Sequence, residues 1–516
     1  MSEPTNLGKR ANSPVQEHLD VLEKSPEVAR VEATSAALAL ALADSGKLST
    51  RSFIRLYIVM AVGYLVSTIQ GYGSSTGVVF IIYNIAQIAA FPFVSYIADT
   101  YGRRPCIFIG CLVVLIGTAI QTSANTLGQF LGGRFVLGFG AIIAHGAGPA
   151  YVVELAHPAY RGLTAGMYNN FWWIGSILSG WVCYGTSLHI QSGWAWRIPT
   201  VLQAAFPTFA MVLVLFLPES PRWLITKDRT DEALRILADY HGEGDSNSPI
   251  VQLQYQQIMD EHRSEKPGRW WDYRELVATR ADRYRLMLVV AVAFFGQWSG
   301  NNVISYFLPG MLKNSGMTNS NTQLLINAIY SVICWISAMC GSAILDKFGR
   351  RAMMMGGLTG CLISYIMMTA FTANPANNKD LIYGVIVSIY LFGICFAAGM
   401  TPSATLYPME ILTNRTRGKG SAVKFLFLNI ATLTNTYGIS VGINVIGWKL
   451  YLVYIVWIAF EIVFIYFMYV ETRGKTLEEL VEIFEAKNPR KASTKKVVAF
   501  DDERHVVGIV SEGKHD

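Results

Sequence analysis

Apolar residues along this chain are gathered into twelve blocks, each long enough to cross a bilayer as a helix. About 20 apolar residues in a helix cross roughly 30 Å of hydrocarbon, and a helix satisfies its own backbone hydrogen bonds there. The pattern therefore predicts an all-α, polytopic membrane protein with twelve transmembrane helices. In chain order, predicted spans one to twelve are 53–72, 78–98, 106–123, 127–148, 163–186, 197–217, 286–308, 324–345, 352–373, 382–408, 420–443 and 449–470.

A single long polar stretch divides the spans into two groups of six. It predicts a linker with short helices over 218–285, between an N-terminal half at 51–217 and a C-terminal half at 286–470. Residues 1–50 are polar and rich in Ser, Pro, Glu and Ala, which is typical of a disordered tail. Residues 471–516 form a second predicted tail.

Composition supports lipid as the surrounding solvent. The chain is 52% hydrophobic and 15% charged, whereas soluble domains are about 25% charged. The net charge of +6 is spread over loops and tails, which argues against a nucleic-acid surface, since that needs a continuous basic face. No nucleophile–base set, metal-ligand cluster or P-loop stands out. We therefore expect no enzymatic activity, no metal and no cofactor.

Basic residues fall mainly on one side of the predicted membrane. That side carries Arg103, Arg104, Arg161, Lys347, Arg350, Arg351, Arg415, Arg417 and Lys419. The opposite loops carry Arg197, Lys313, Lys379 and Lys449. Because cytoplasmic loops are enriched in Lys and Arg, both termini and the linker are predicted to be cytoplasmic. The expected location is the plasma membrane.

Three motifs occur once in each half, in the same order. The pairs are Asp99-x-x-Gly102-Arg103-Arg104 with Asp346-x-x-Gly349-Arg350-Arg351, Glu154 and Arg161 with Glu410 and Arg417, and Pro218-Glu219-Ser220-Pro221-Arg222 with Val470-Glu471-Thr472-Arg473-Gly474. Three matches in register indicate an internal repeat. Two parallel six-helix halves would hold a substrate near the midplane between them.

These motifs resemble those of the sugar-porter branch of the major facilitator superfamily, over about 53–480. The stretches 168–173 and 415–420 further resemble fungal lactose- and hexose-permease-like porters. The resemblance implies the major facilitator fold, a small sugar as the transported partner, alternating access and family-type proton symport. Two alternatives stay open: a sugar sensor that does not transport, and a carrier of another small organic solute.

Repeated charges at helix ends suit a gate, because they can pair across the halves in one state and become hydrated in the other. In the family, this is the role of the positions matching Arg103, Glu154, Arg161, Glu219, Arg350, Glu410, Arg417 and Glu471. The competing interpretation is that these charges only solvate helix ends and orient the chain.

A sugar site needs amide side chains for hydroxyl groups and aromatic rings for ring faces. The candidates are Gln297, Asn301, Asn302, Asn327, Asn169, Asn170 and Trp172. In sugar porters, the positions matching Gln297, Asn302 and Asn327 contact sugar. The competing role is hydrogen bonding between helices. Gly296 and Thr405 stand where the family has Gln and Trp, so a roomier pocket that suits a disaccharide is expected.

One residue of the pair that would couple transport to protons is absent from the sequence. Arg134 matches a family position linked to coupling, but the carboxylate that would partner it is missing. Fungal relatives end span one with Gly-Tyr-Asp and a long loop, whereas here Gly71-Tyr72 is followed by Gly73. We expect either passive transport or an inactive product of a missing exon or gene-model error; alternatively, Glu461 accepts the proton.

Further ionisable residues in the apolar blocks are Lys424, Glu461 and His145. Lys424 and Glu461 lie toward the cytoplasmic ends of spans eleven and twelve, where snorkelling or structural pairing is expected, and His145 in span four is interpreted as a packing residue.

Overall fold

The computed structural model describes residues 77–157, 161–264, 273–314, 317, 319–373, 380–473, 475, 477–493, 497–500 and 506–510. Predicted span one, the N-terminal tail and the Gly71–Gly73 departure lie outside these residues. "Motif end" below means the end of the helix bundle at which Gly102 and Gly349 lie.

Spans two to six of the first half are all helical. Span six is interrupted near Gln203 and Ala204, where two short helices meet. The bounds are Gly77–Tyr101 for span two, Arg103–Thr122 for span three, Leu127–Leu155 for span four, Arg161–His189 for span five, and Trp194–Leu202 with Ala205–Val214 for span six.

Spans seven to twelve form the second half. The sequence predicted an unbroken span seven, but the structure divides it at Ser299 and Gly300. The bounds are Arg280–Trp298 with Asn301–Asn314 for span seven, Ser320–Phe348 for span eight, Arg350–Ala373 for span nine, Asp380–Ile411 for span ten, Asn414–Val445 for span eleven and Leu450–Met468 for span twelve.

Within the described part of the chain, ten segments are long and apolar enough to cross a membrane, and they correspond to spans two to four and six to twelve. Span five is a helix of 29 residues that is not among the ten. It carries polar side chains, and several of them face the other half of the molecule. Its length still suffices to cross a bilayer.

The linker and the C-terminal tail contain short elements. Linker helices are Pro221–Thr226, Thr230–His241 and Pro249–Ser264, followed by a 3-10 turn at Arg274–Val277; the tail helices are Leu477–Glu485 and Pro489–Ser493. Strands β1 (Val497–Phe500) and β2 (Val506–Val510) then pair antiparallel, an addition to the all-α expectation. Leu480, Ile483 and Phe484 belong to the core of the second half, so the first tail helix is packed onto the bundle.

The two halves meet along spans five and eight, which run antiparallel. Ser176 and Ser331 are hydrogen-bonded at 3.0 Å, and Ser187 donates to Asn321 Oδ1 at 2.8 Å. Between these contacts, a Cβ on Gly180 would lie 3.1 Å from the Ala328 backbone. Small and hydroxyl side chains therefore let the helices approach closely, as expected inside a membrane.

Candidate functional site

Span three begins on a glycine and is capped by a distant carboxylate. Glu219 accepts hydrogen bonds from the backbone amides of Arg103 at 3.0 Å and Arg104 at 3.1 Å. Gly102 has φ 102° and ψ 175°, a conformation that only glycine adopts readily. A Cβ there would lie 2.5 Å from Glu219 Oε2. The glycine thus opens the helix start to an anion, which the positive end of the helix dipole favours.

The Arg103 side chain connects the start of span three to span four. Its Nη2 donates to Glu154 Oε1 at 3.2 Å, and its Nε lies 3.2 Å from Glu154 Oε2. The Ser220 hydroxyl also donates to Glu154. Asp99, the first residue of the motif, lies 3.7 Å from Arg103. These residues bind the ends of spans two, three, four and six together.

The second half repeats this arrangement. Glu471 accepts from the amides of Arg350 at 2.9 Å and Arg351 at 3.2 Å. Arg350 donates to Glu410 from Nε at 3.1 Å and Nη2 at 2.8 Å, and Thr472 Oγ1 donates to Glu410 at 2.5 Å. The internal repeat read from the sequence therefore extends to individual hydrogen bonds.

Each of these clusters is built within one half. The pairs Arg103–Glu154 and Arg350–Glu410 join helices of the same half, because each motif set comes from helices already bundled together. Pairing of the motif charges across the halves in one state of the transport cycle stays a prediction. The side chains of Arg161 and Arg417 lie outside the described residues, so any pairing of theirs across the halves stays a prediction.

Ser220 and Thr472 were missed as functional residues by the sequence analysis. A hydroxyl residue directly follows the acid in both repeats, and this was the available signal.

In the first cluster, the environment of Glu219 shifts the pKa of its carboxyl group. Burial raises the pKa of this carboxyl, while hydrogen bonds from the backbone of Ser220, Arg104 and Arg103 oppose the rise.

The break in span seven lies among the predicted sugar-binding amides. Gly300 has φ 92°, and its carbonyl accepts a hydrogen bond of 2.9 Å from the Tyr365 hydroxyl. A Cβ at this position would lie 2.2 Å from the Tyr365 oxygen. Gln297 precedes the break, and Asn301 and Asn302 follow it. Broken helices of this kind expose polar groups inside membrane carriers.

Gln297 is held by span eleven, and span twelve in turn holds one of its partners. Its Oε1 accepts from Thr432 Oγ1 at 3.0 Å, and its carbonyl accepts from Asn435 Nδ2 at 2.6 Å. The Tyr454 hydroxyl in turn donates to Asn435 Oδ1 at 2.6 Å. The hydrogen bond to Oε1 therefore fixes the orientation of the Gln297 side-chain amide. No described residue accepts a hydrogen bond from its Nε2.

Asn302 is a buried candidate whose side-chain donor lacks a partner in the described part of the chain. It is 1% exposed, and its Nδ2 has no hydrogen-bond acceptor among the described residues. A buried donor without an acceptor is costly, which favours a site that a ligand completes. Its neighbour Asn301 accepts from Ser305 at 3.2 Å. Asn327 is half-buried on span eight, and its carbonyl accepts from Ser331 at 3.1 Å.

The span-five candidates lie at the contact between the halves. Asn170 is fully buried and donates to Ser342 Oγ of span eight at 3.0 Å. Trp172 stacks edge-on against Trp173 at 4.8 Å, and Trp173 packs on Tyr330 at 6.4 Å. Asn170 thus forms a hydrogen bond between helices, which was the alternative to sugar binding for these amides. The side chain of Asn169 lies outside the described residues.

Arg134 is buried in span four, and its guanidinium lies 5.9 Å from the Phe130 ring centroid.

A groove of about 610 Å³ opens in the same half, toward the end of the bundle opposite the motif end, and is lined in part by Thr118, Trp194 and Arg197. This groove lies between spans three and six, away from the contact between the halves. It is therefore separate from the amides of span seven.

Known proteins resemble the chain over most of its length. The "Sugar (and other) transporter" family model matches residues 50–484. A high-affinity glucose transporter of Kluyveromyces lactis is 27% identical over 441 residues, which cover 81% of this chain and 80% of that protein. The MFS-type transporter oryC of Aspergillus oryzae is 29% identical over 412 residues, which cover 77% of this chain and 75% of that protein.

Among solved structures, the proton:xylose symporter XylE bound to 6-bromo-6-deoxy-D-glucose superimposes with a TM-score of 0.70 at 21% identity. That match covers 84% of this chain and 100% of XylE. The predicted twelve-helix architecture in two six-helix halves is thereby confirmed. The chain belongs to the sugar transporter family of the major facilitator superfamily, and it is a multi-pass membrane carrier rather than an enzyme.

Proposed function

We propose that this chain carries a small sugar across the plasma membrane by alternating access. The observation that carries the proposal is the break in span seven at Gly300, with Gln297 and the buried Asn302 on either side of it. Amides are donors and acceptors at once, which suits a ligand with many hydroxyl groups. A buried amide donor without a protein acceptor gains a partner when such a ligand binds.

The two motif clusters act as braces in this proposal. Each binds the helix ends of one half into a unit, so the halves can move as rigid bodies along the contact of spans five and eight. Exposed ion pairs contribute only about 0–1 kcal/mol each, but these pairs are largely shielded. The Arg350 and Glu410 side chains are 9% and 20% exposed. Gate closure between the halves is assigned to Arg161 and Arg417.

The motif end is proposed to face the cytoplasm, because the basic loops are concentrated there. Transport is proposed to be passive. The segment 53–76 contains no acidic residue, so Arg134 gains no carboxylate from span one. Glu461 is the alternative proton acceptor; it is fully buried on span twelve and accepts from Trp457 Nε1 at 2.6 Å.

The test is uptake of labelled sugars by a host that lacks its own sugar transporters. Cells that produce this chain are expected to take up at least one member of a panel of hexoses and disaccharides. Sugar-triggered signalling without uptake would favour the sensor. Uptake of other organic solutes alone would favour a carrier of another small organic solute.

A further inference from the structure

A second polar cluster crosses the contact between the halves nearer the motif end. His145 of span four and Tyr168 of span five are 3.3 Å apart, between Nδ1 and the hydroxyl oxygen. The His145 ring packs edge-on against Phe425 of span eleven at 5.4 Å. Lys424 Nζ lies 5.6 Å from the centroid of the same Phe425 ring. Two basic side chains from opposite halves therefore flank one aromatic ring.

Lys424 is buried, and the described residues place no carboxylate beside it. The residue is 5% exposed, so it does not snorkel, and no acidic side chain pairs with it in the described part of the chain. Span one cannot supply an acid, because 53–72 contains neither Asp nor Glu. Buried charges in membranes are normally paired. A cation left in this position calls for an anion that arrives from outside the protein.

Among the described residues, no acidic side chain of the spans forms an ion pair with Lys424. Glu154 pairs with Arg103, and Glu410 pairs with Arg350, both at the motif end. Glu461 accepts from Trp457 on its own helix. The positive charge of Lys424 is therefore balanced by none of the described acidic groups of the spans.

Lys424 faces the same direction along span eleven as the groups that hold the broken helix. Ala431, seven residues later, accepts a hydrogen bond of 3.0 Å from Trp298 Nε1, and Asn435 holds the Gln297 carbonyl. Seven residues are about two helical turns, so Lys424 and Ala431 share a face at an axial separation of about 10 Å. Lys424 thus lies on the face of span eleven that contacts the broken helix, about 10 Å nearer the motif end than Ala431.

We propose that Lys424 and His145 form an anion subsite in which Tyr168 orients the imidazole, and that the transported solute is an acidic sugar whose carboxylate binds there. The inference rests on the proposed function and narrows its substrate class. Lysine offers a compact charge with three donors. If the Tyr168 hydroxyl donates to His145 Nδ1, the imidazole keeps Nε2–H as a further donor. A sugar carboxylate is ionised at neutral pH, since carboxyl pKa values lie near 4.

The experiment compares matched sugars that differ only at the terminal carbon. The full chain in liposomes of neutral lipid is tested for binding of D-galacturonate against D-galactose, and of D-glucuronate against D-glucose. For at least one pair, we expect the acid to bind about tenfold or more tightly, the scale of a hydrogen bond to a charged group. Lys424→Gln is expected to reduce the acid-to-neutral affinity ratio by about tenfold. Lys424→Arg is expected to keep a preference for the acid.

Lys449→Gln is the matched control, because Lys449 is exposed at the end of the bundle opposite the motif end. The acid-to-neutral affinity ratio of this variant should equal that of the unaltered chain. Binding of neutral sugars without a preference for either acid would overturn the inference and leave the proposed function intact. An unchanged ratio in Lys424→Gln would do the same. If none of the four sugars binds, the inference fails, whereas the proposed function fails only if no member of the hexose and disaccharide panel is taken up.

Discussion

The Arg350 guanidinium donates to the Glu410 carboxylate through Nε at 3.1 Å and Nη2 at 2.8 Å. This pair stands in the second half where Arg103 and Glu154 stand in the first. In both halves, the arginine also begins a helix whose first amides are capped by another glutamate. The same arginine therefore binds one glutamate through its backbone amide and a second glutamate through its guanidinium. This double role explains why arginine follows glycine in the motif.

Gly102→Ala is expected to destabilise the protein by about 1–3 kcal/mol, because a non-glycine residue is strained at that backbone conformation. The new Cβ would also press on Glu219. The measurement is thermal unfolding of the purified protein in detergent. Gly128→Ala is the control, since its Cβ would meet nothing within 4 Å. Equal unfolding temperatures for the two variants would contradict the strain argument.

Thr472→Val removes a hydroxyl that donates to the Glu410 carboxylate while nearly preserving shape. We expect a loss of about 1.5–3 kcal/mol, the value for hydrogen bonds to charged groups, together with slower sugar uptake. Thr472→Ser keeps the donor and should retain most of the uptake rate. Uptake and unfolding temperature are measured for both variants. The brace role would be wrong if valine and serine behaved alike.

Gln297→Ala and Asn302→Ala should each weaken sugar binding. A lost hydrogen bond to a neutral hydroxyl costs about 0.5–1.5 kcal/mol, which is roughly a two- to twelvefold rise in the dissociation constant. Asn125→Ala serves as the control, because Asn125 is an exposed amide between spans three and four. Unaltered affinity in both test variants would mean that these amides only join helices.

Inserting Asp and a relative's following loop after Tyr72 tests coupling. The unaltered chain is expected to take up sugar without proton movement, because 53–76 carries no carboxylate to exchange a proton near Arg134. The modified chain should show sugar-induced alkalinisation of the medium. The readout is external pH in lightly buffered cell suspensions. Robust alkalinisation with the unaltered chain would point instead to another acid, such as Glu461.

Epitope tags at the N-terminus, beside Glu243 in the linker and near residue 510 should all resist protease added to intact cells. The reason is the concentration of basic loops at the motif end. Permeabilised cells provide the positive control. Cleavage of the residue 510 tag in intact cells would reverse the proposed orientation.

The chain's own pattern determined most of the architecture. Spans two to twelve, the division into halves and the repeated motifs follow from the sequence, because a bilayer imposes both the length and the composition of each span. Gly102 and Gly349 were also visible as motif members, although the sequence did not state why glycine is needed. Only the backbone dihedrals and the approach of Glu219 and Glu471 supply that reason.

The tertiary structure alone decided which polar groups meet. Helices buried in lipid and protein are apolar on most faces, so periodicity does not state their rotation or their neighbours. For this reason the sequence did not predict that Asn170 would bond to Ser342, that span seven would break where Tyr365 holds Gly300, or that His145 would pack against Phe425 of the other half. Each contact joins residues that are far apart in sequence, and helix packing brings them together.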